Sequence, residues 1–206
     1  MSRKSAKLDS HNMKVPYLPC IALVLTGVVQ LLGAAEVTKY DYRLLATTRT
    51  STMEKELNEA ADAGYSFSSV MGGQTGIGGK EVVVVMTKKV GAESHGNKQY
   101  KLLATSRTST MQKELQQAGD EGFDFCGQTV FQSAFGGKEV SVILERDASS
   151  PKRRIEYKLL ATTRTSTMEK ELKEAGDAGF EFLEVMIGST AMGGKEVISV
   201  LRRYSD

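Results

Sequence analysis

The chain contains one short unit in three copies, so any fold it adopts must be buildable from that unit used three times over. Tyr42 opens YRLLATTRTSTMEKELNEAADAGYSF, Tyr100 opens YKLLATSRTSTMQKELQQAGDEGFDF, and Tyr157 opens YKLLATTRTSTMEKELKEAGDAGFEF. Each copy then reaches a Gly-Gly-Lys-Glu-Val segment at the same distance, ending at Val82, Val140 and Val197. Between Tyr42–Val85 and Tyr157–Val200, 31 of 44 positions are identical without a gap. The connecting stretches 90–99 and 147–156 carry Gly, Ser, Pro and charge, the composition of solvated linkers. The units are therefore residues 42–89, 100–146 and 157–204.

Within a copy the apolar period switches twice. Tyr42, Leu44 and Ala46 alternate as a strand does, whereas Met53, Leu57, Ala60 and Ala61 fall on one helical face. Ser51 followed by Glu54 reads as a capping box at the helix start, and Ser109 with Gln112 and Ser166 with Glu169 repeat it. Gly64, Gly122 and Gly179 stand where a left-handed residue would end the helix, and Tyr65, Phe123 or Phe180 could pack back onto that end. Two strands follow, near Phe67–Met71 and Glu81–Thr87 in the first copy, with the pairs Gly78-Gly79, Gly136-Gly137 and Gly193-Gly194 in the connection.

The expected architecture is thus α+β: three tandem β-α-β-β repeats, mainly antiparallel, with one helix each. A unit of about 48 residues lies near the lower limit for folding alone. Val82-Val-Val-Val-Met86 is apolar without alternation, as in strands covered on both faces. One helix covers one face. The other is expected to pack on neighbouring repeats, in a pseudo-threefold or layered body.

Residues 1–35 have another character. Ile21–Leu32 is an apolar run of 12 residues followed by Gly33-Ala34-Ala35, which reads as a signal peptide cleaved after Ala35, with Met13 as a possible translation start. Spanning a bilayer takes about 20 apolar residues, and Pro16 and Pro19 limit extension of this run, so no stable membrane span is expected after cleavage. Cys20 precedes the apolar run, on the wrong side for lipidation, and Cys126 is then the single cysteine, read as a buried strand filler. Of 27 basic and 25 acidic residues, four bases and one acid precede residue 36, leaving 23 against 24 and a net charge of −1. That balance offers nucleic acid no electrostatic footprint.

The exposed-looking residues shared by the copies are Arg49, Thr50, Thr52 and Lys80; Arg107, Thr108, Thr110 and Lys138; and Arg164, Thr165, Thr167 and Lys195. A helix N-terminus with hydroxyls and a guanidinium beside it can hold a phosphate, carboxylate or acidic sugar. The plainer reading is that Ser and Thr cap the helix while Arg and Lys pair with Glu54, Glu56 or Glu81 on the surface. The run Gly72–Lys80 is not a phosphate loop, because Gln74 stands where that spacing needs glycine and Glu81 where it needs Ser or Thr. His11 lies in the leader and His95 in a linker, so no repeat holds a histidine or a cysteine pair, and neither a metal nor a cofactor is expected. No catalytic residue stands out. Ile77, Phe135 and Met192, just before the glycine pairs, keep apolar character and either fold onto the core or face a partner.

The sequence Tyr-Lys-Leu-Leu, a Thr/Arg-rich turn, Glu-Lys-Glu-Leu and Ala-Gly-Asp-x-Gly-Phe-Glu-Phe resembles a bacterial family of short domains of unknown function. Members carry Tyr-Lys-Val near the start and Leu-Asn-x-x-Gly-x-x-Gly-Trp-Glu in the middle. Here Phe180-Glu181, Phe123-Asp124 and Tyr65-Ser66 replace Trp-Glu, and Ala61 replaces the first glycine in copy one. The resemblance implies a small β-α-β-β fold and brings no activity. The expectation is an exported, periplasmic or secreted, non-catalytic binding or structural module, with an unknown ligand or protein partner and a homo-oligomer as an option. The alternative is an enzyme acting on a small anionic or sugar substrate at clefts between repeats.

Overall fold

The computed structural model describes residues 37–75, 79–91, 97–132, 138–189 and 195–205. The proposed leader with its cleavage site, both histidines, the loop residues Ile77, Phe135 and Met192, Gly78, and the glycine pairs of copies two and three lie outside these residues.

The elements run β1 (Tyr40–Thr47), α1 (Thr50–Asp62), β2 (Ser66–Thr75), β3 (Gly79–Lys89), then β4 (Lys98–Thr105), α2 (Thr108–Asp120), β5 (Asp124–Gln132), β6 (Lys138–Asp147), then β7 (Ile155–Thr162), α3 (Thr165–Asp177), β8 (Glu181–Ser189) and β9 (Lys195–Tyr204). Each repeat forms its own three-stranded antiparallel sheet in the order β1-β3-β2, β4-β6-β5 and β7-β9-β8. The opening strands begin two residues before the conserved tyrosines, so the connections are shorter than the linkers read from composition.

Each helix ends as its glycine dictates. Gly64, Gly122 and Gly179 have φ of 88°, 82° and 82°, the left-handed region. The Tyr65 N–H donates to Ala60 O and the Gly64 N–H to Ala61 O, the paired bonds of a Schellman motif, and the other copies repeat them. A cation from the last strand of each unit completes the end. Lys88 donates to Ala63 O at 2.8 Å, Arg146 to Glu121 O at 3.0 Å and Arg203 to Ala178 O at 2.7 Å, opposite the negative end of the helix dipole.

The second strand of every unit carries a bulge at the same place. Register shifts between Phe67 and Ser69, between Phe125 and Gly127, and between Phe182 and Glu184. The extra residue puts Phe67 and Val70, three apart, opposite Met86 and Val84 on one face.

The repeats stack in a row. Leu45, Val82, Val84 and Met86 of the first sheet pack with Met53, Leu57 and Ala60 of α1, and Tyr100 and Ile143 from the next sheet close that core. Leu103, Val142 and Leu144 pack with Met111, Leu115 and Ala118 of α2, closed by Ile155, Tyr157 and Val200 of the third sheet. Both faces of the middle sheet are therefore buried: Val142 and Leu144 of β6 face one core and Ile143 the other. The layered packing forms, with shared cores joining successive repeats, in place of a pseudo-threefold body or independent units. The row does not close on itself, because Tyr42 and Leu44 on the outer face of the first sheet are 64% and 66% exposed.

Candidate functional site

The Arg/Thr turns sit where each unit's first strand hands over to its helix. The Arg49 N–H donates to Thr47 Oγ1 at 3.1 Å, with Arg107 to Thr105 at 3.2 Å and Arg164 to Thr162 at 3.3 Å, and this bond turns the chain into the helix. The helix consequently starts earlier than a capping box at Ser51, Ser109 and Ser166 would place it. Arg49, Arg107 and Arg164 are the N-cap residues, in extended conformation, and no side chain caps the N-terminus. The serines fall inside the first turn.

The capping box fails because its last residue is engaged elsewhere. Glu54 Oε2 accepts the Leu102 N–H of the next repeat at 2.8 Å, and Asn58, one turn on, both accepts from Tyr100 N at 2.9 Å and donates to Tyr100 O at 3.0 Å. Gln112 does the same to Leu159 N and Tyr157 O, and Gln116 to Tyr157 N and Ile155 O. Since β4 and β7 are sheet edges, these i, i+4 side chains satisfy backbone groups that would otherwise lack partners. Charged and amide residues on a helix look like a solvated face in sequence; only the neighbouring repeat reveals their use.

The register brings each turn to the hairpin end of its sheet, since Thr47, Thr105 and Thr162 lie opposite Val82, Val140 and Val197. Lys80, Lys138 and Lys195, two residues before those valines, thus share an end with the arginines. Lys195 is exposed, and the side chains of Lys80 and Lys138 lie outside the described residues. Arg49, Arg107 and Arg164 are exposed, and none forms an ion pair with another described residue. Thr50, Thr52, Thr108 and Thr110 are half-buried, whereas Thr165 and Thr167 of the last copy are exposed.

Two concavities touch these turns. Thr105–Thr108 with Met111, Val130, Glu139, Val140, Leu159 and Ile198 line a cavity of about 10 Å³, room for one water at most. A shallow groove of about 390 Å³ between the first and second repeats is lined by Thr50, Ser51, Glu54, Leu102, Leu103, Ala104 and Glu114. Its charged side chains are carboxylates, so an anion would meet its cation at the exposed arginines rather than inside this groove. Among the described residues no group of three His, Cys, Asp or Glu side chains could hold a metal ion, and no helix is long and apolar enough to cross a membrane.

Comparison with protein-family models, curated proteins and solved structures finds no match for this chain.

Several groups whose pKa burial raises lie in the interfaces between repeats. Burial, then the Glu145 carboxylate, pushes the Cys126 thiol up, so the thiol stays protonated beside the first core, as a strand filler should. Burial raises the Tyr100 hydroxyl, which accepts from Phe67 N at 2.8 Å; the Tyr157 hydroxyl, raised likewise, donates to Phe123 O at 2.9 Å. Glu184 is raised by desolvation, opposed by the Gln128 N–H that it accepts at 3.1 Å. The Gln128 amide itself is buried with no hydrogen-bond partner among the described residues. Val70 and Val185 occupy its equivalent positions, a departure visible in the repeats but not recognised from sequence as an interface residue.

Proposed function

We propose that this is an exported, non-catalytic repeat module of the bacterial short-domain type it resembles, which presents its Arg/Thr turns to an anionic ligand or partner. One observation carries the reading: Arg49, Arg107 and Arg164, one per unit, stand exposed at the same end of three successive units, without an ion pair to any described residue. Three weak equivalent contacts on one rigid row gain avidity against a polyvalent anion. In the first two helices Glu54, Asn58, Gln112 and Gln116 hydrogen-bond the next strand, which supports a scaffold more than a reaction centre.

The test is a thermal-shift titration of the exported protein with inorganic phosphate and with an acidic polysaccharide, beside the variant with Arg49, Arg107 and Arg164 all changed to alanine. Protection of the wild type by the polymer, lost in the variant, is the expected result. Equal protection of both proteins, or none of either, refutes the assignment. Intact-mass measurement of the same sample tests export, since processing should leave a chain beginning at Glu36.

A further inference from the structure

We propose that the chain assembles head to tail with further copies of itself, the outer surface of α3 and β8 in one copy seating on the β1 edge and outer sheet face of the next. This goes beyond the ligand-presenting reading and does not depend on it. The molecule already contains this interface twice, at the junctions of α1 with β4 and of α2 with β7, and each of its ends presents one half of a third.

The first half is the outer face of the first sheet. Tyr100 and Tyr157, covered by the preceding repeat, are each 4% exposed, and Ile143 and Val200 on the same faces are buried completely or nearly so. The equivalent residue Tyr42 stands open beside Leu44, with Met71 exposed on the same sheet. The second half is at the other end. Phe182 and Val185 are 49% and 50% exposed. Their counterparts Phe67 and Val70 press on Gly127 of the following repeat, where a β-carbon would lie 3.1 Å from Phe67 Cζ and 3.2 Å from Val70 Cγ1. In the first sheet that position is Ser69, again a small side chain. Repeat arrays that remain single carry polar terminal faces. This one is apolar at both ends.

The polar complement agrees. Glu169 and Lys173 occupy the helix positions by which Glu54 with Asn58, and Gln112 with Gln116, bind the next strand edge, but with no strand to bind they pair with each other at 2.6 Å. On the β1 edge the Tyr42 N–H takes Asp41 Oδ1 at 2.9 Å. Asn58 and Gln116 supply an acceptor to the corresponding tyrosine N–H, which lysine cannot do, and here Asp41 already supplies it. Docked by the internal template, Glu169 accepts the Leu44 N–H while Lys173 donates to the Tyr42 carbonyl beside the Asp41 carboxylate. Gly119, in the same helix turn, admits the backbone of β7; Gly176, its equivalent, has nothing within 4 Å. The interface is heterologous, joining unlike surfaces, so it propagates into rings or filaments instead of stopping at a twofold dimer.

Sedimentation velocity of the full chain, carrying the N-terminus the cell leaves on it, tests this over a wide concentration range. Two variants block one end each at residues exposed in the single chain: Leu44→Glu at the head and Val185→Glu at the tail. The wild type should grow with concentration to masses of two chains and beyond. Each variant alone should stay a single chain, and an equimolar mixture should form dimers and nothing larger, because one open head meets one open tail. Lys173→Glu, a purely surface change, should weaken assembly in the same sense and serves if Val185→Glu does not fold. A wild type that remains a single chain at every concentration, as it would if its own N-terminal residues or another protein covered the β1 face, overturns the proposal. So does assembly of either variant alone to wild-type size, or failure of the mixture to dimerise.

Discussion

Gly119 and Gly176 occupy the same position in two nearly identical helices, and the structure assigns opposite signs to the same substitution. Neither has a positive φ, so alanine fits the backbone at both. At Gly119 a β-carbon would collide with the Ile155 carbonyl oxygen and lie 2.9 Å from Tyr157 Cδ2. Relief requires α2 to lift from β7, which stretches the Gln112 and Gln116 bonds to that strand. Overpacking of this kind costs about 1–3 kcal/mol, and replacing a helical glycine by alanine returns about 0.5–1 kcal/mol. Gly119→Ala should therefore lose about 1 kcal/mol net, within a range of about 0–2.5 kcal/mol. Gly176→Ala meets no obstacle within 4 Å and should gain about 0.5–1 kcal/mol. For a chain of this size each kcal/mol moves Tm by roughly 2–4 °C. Urea unfolding followed by circular dichroism, at protein concentrations low enough to keep chains single, reads both values. If the two variants shift stability in the same direction by similar amounts, the close approach of α2 to β7 is wrong.

Changing Gln112 and Gln116 together to alanine leaves several part-buried backbone groups of β7 without partners and should cost about 2–4 kcal/mol in the same assay, at about 1–3 kcal/mol for each orphaned group with partial rescue by water. The equivalent Glu169→Ala with Lys173→Ala, at an exposed pair, should change single-chain stability by less than about 0.5 kcal/mol. Glu184→Gln should stabilise the fold near neutral pH, because burial raises the glutamate pKa: the neutral form favours folding, and that contribution is present below the unfolded pKa and lost as pH rises through the folded one. Its advantage should vanish in acid, and a pH-independent effect in a melting series would refute the desolvation account. Gln128→Val, which restores the residue of the sister repeats, should raise Tm by removing a buried amide with no partner among the described residues; an unchanged or lowered Tm would mean that the amide is satisfied in solution.

The repeat and its β-α-β-β order could be read directly, because they rest on local signals. Apolar period separates α1 from β1 and β3, and Gly64, Gly122 and Gly179 stop their helices where a left-handed residue is needed. The unbroken valine run of β3 also announced that a second face needs cover. What local sequence could not contain was the partner for that face. Ser51 with Glu54 satisfies a capping pattern, yet Glu54 reaches Leu102, 48 residues away, and the turn into the helix is made by Thr47 instead. The bulge after Phe67 breaks alternation, so the faces of β2 follow from its pairing with β3 and not from its spelling. Tyr42, Tyr100 and Tyr157 make the same point: one residue in one motif, exposed in the first copy and buried in the next two. Sequence determined what each unit is, through periodicity, glycine conformation and turn chemistry acting over a few residues. Tertiary structure alone decided which polar side chains bind backbone, which arginines stand exposed without an ion pair to a described residue, and that the row ends in two unlike apolar faces, since burial and hydrogen bonding belong to neighbours brought together only when the repeats stack.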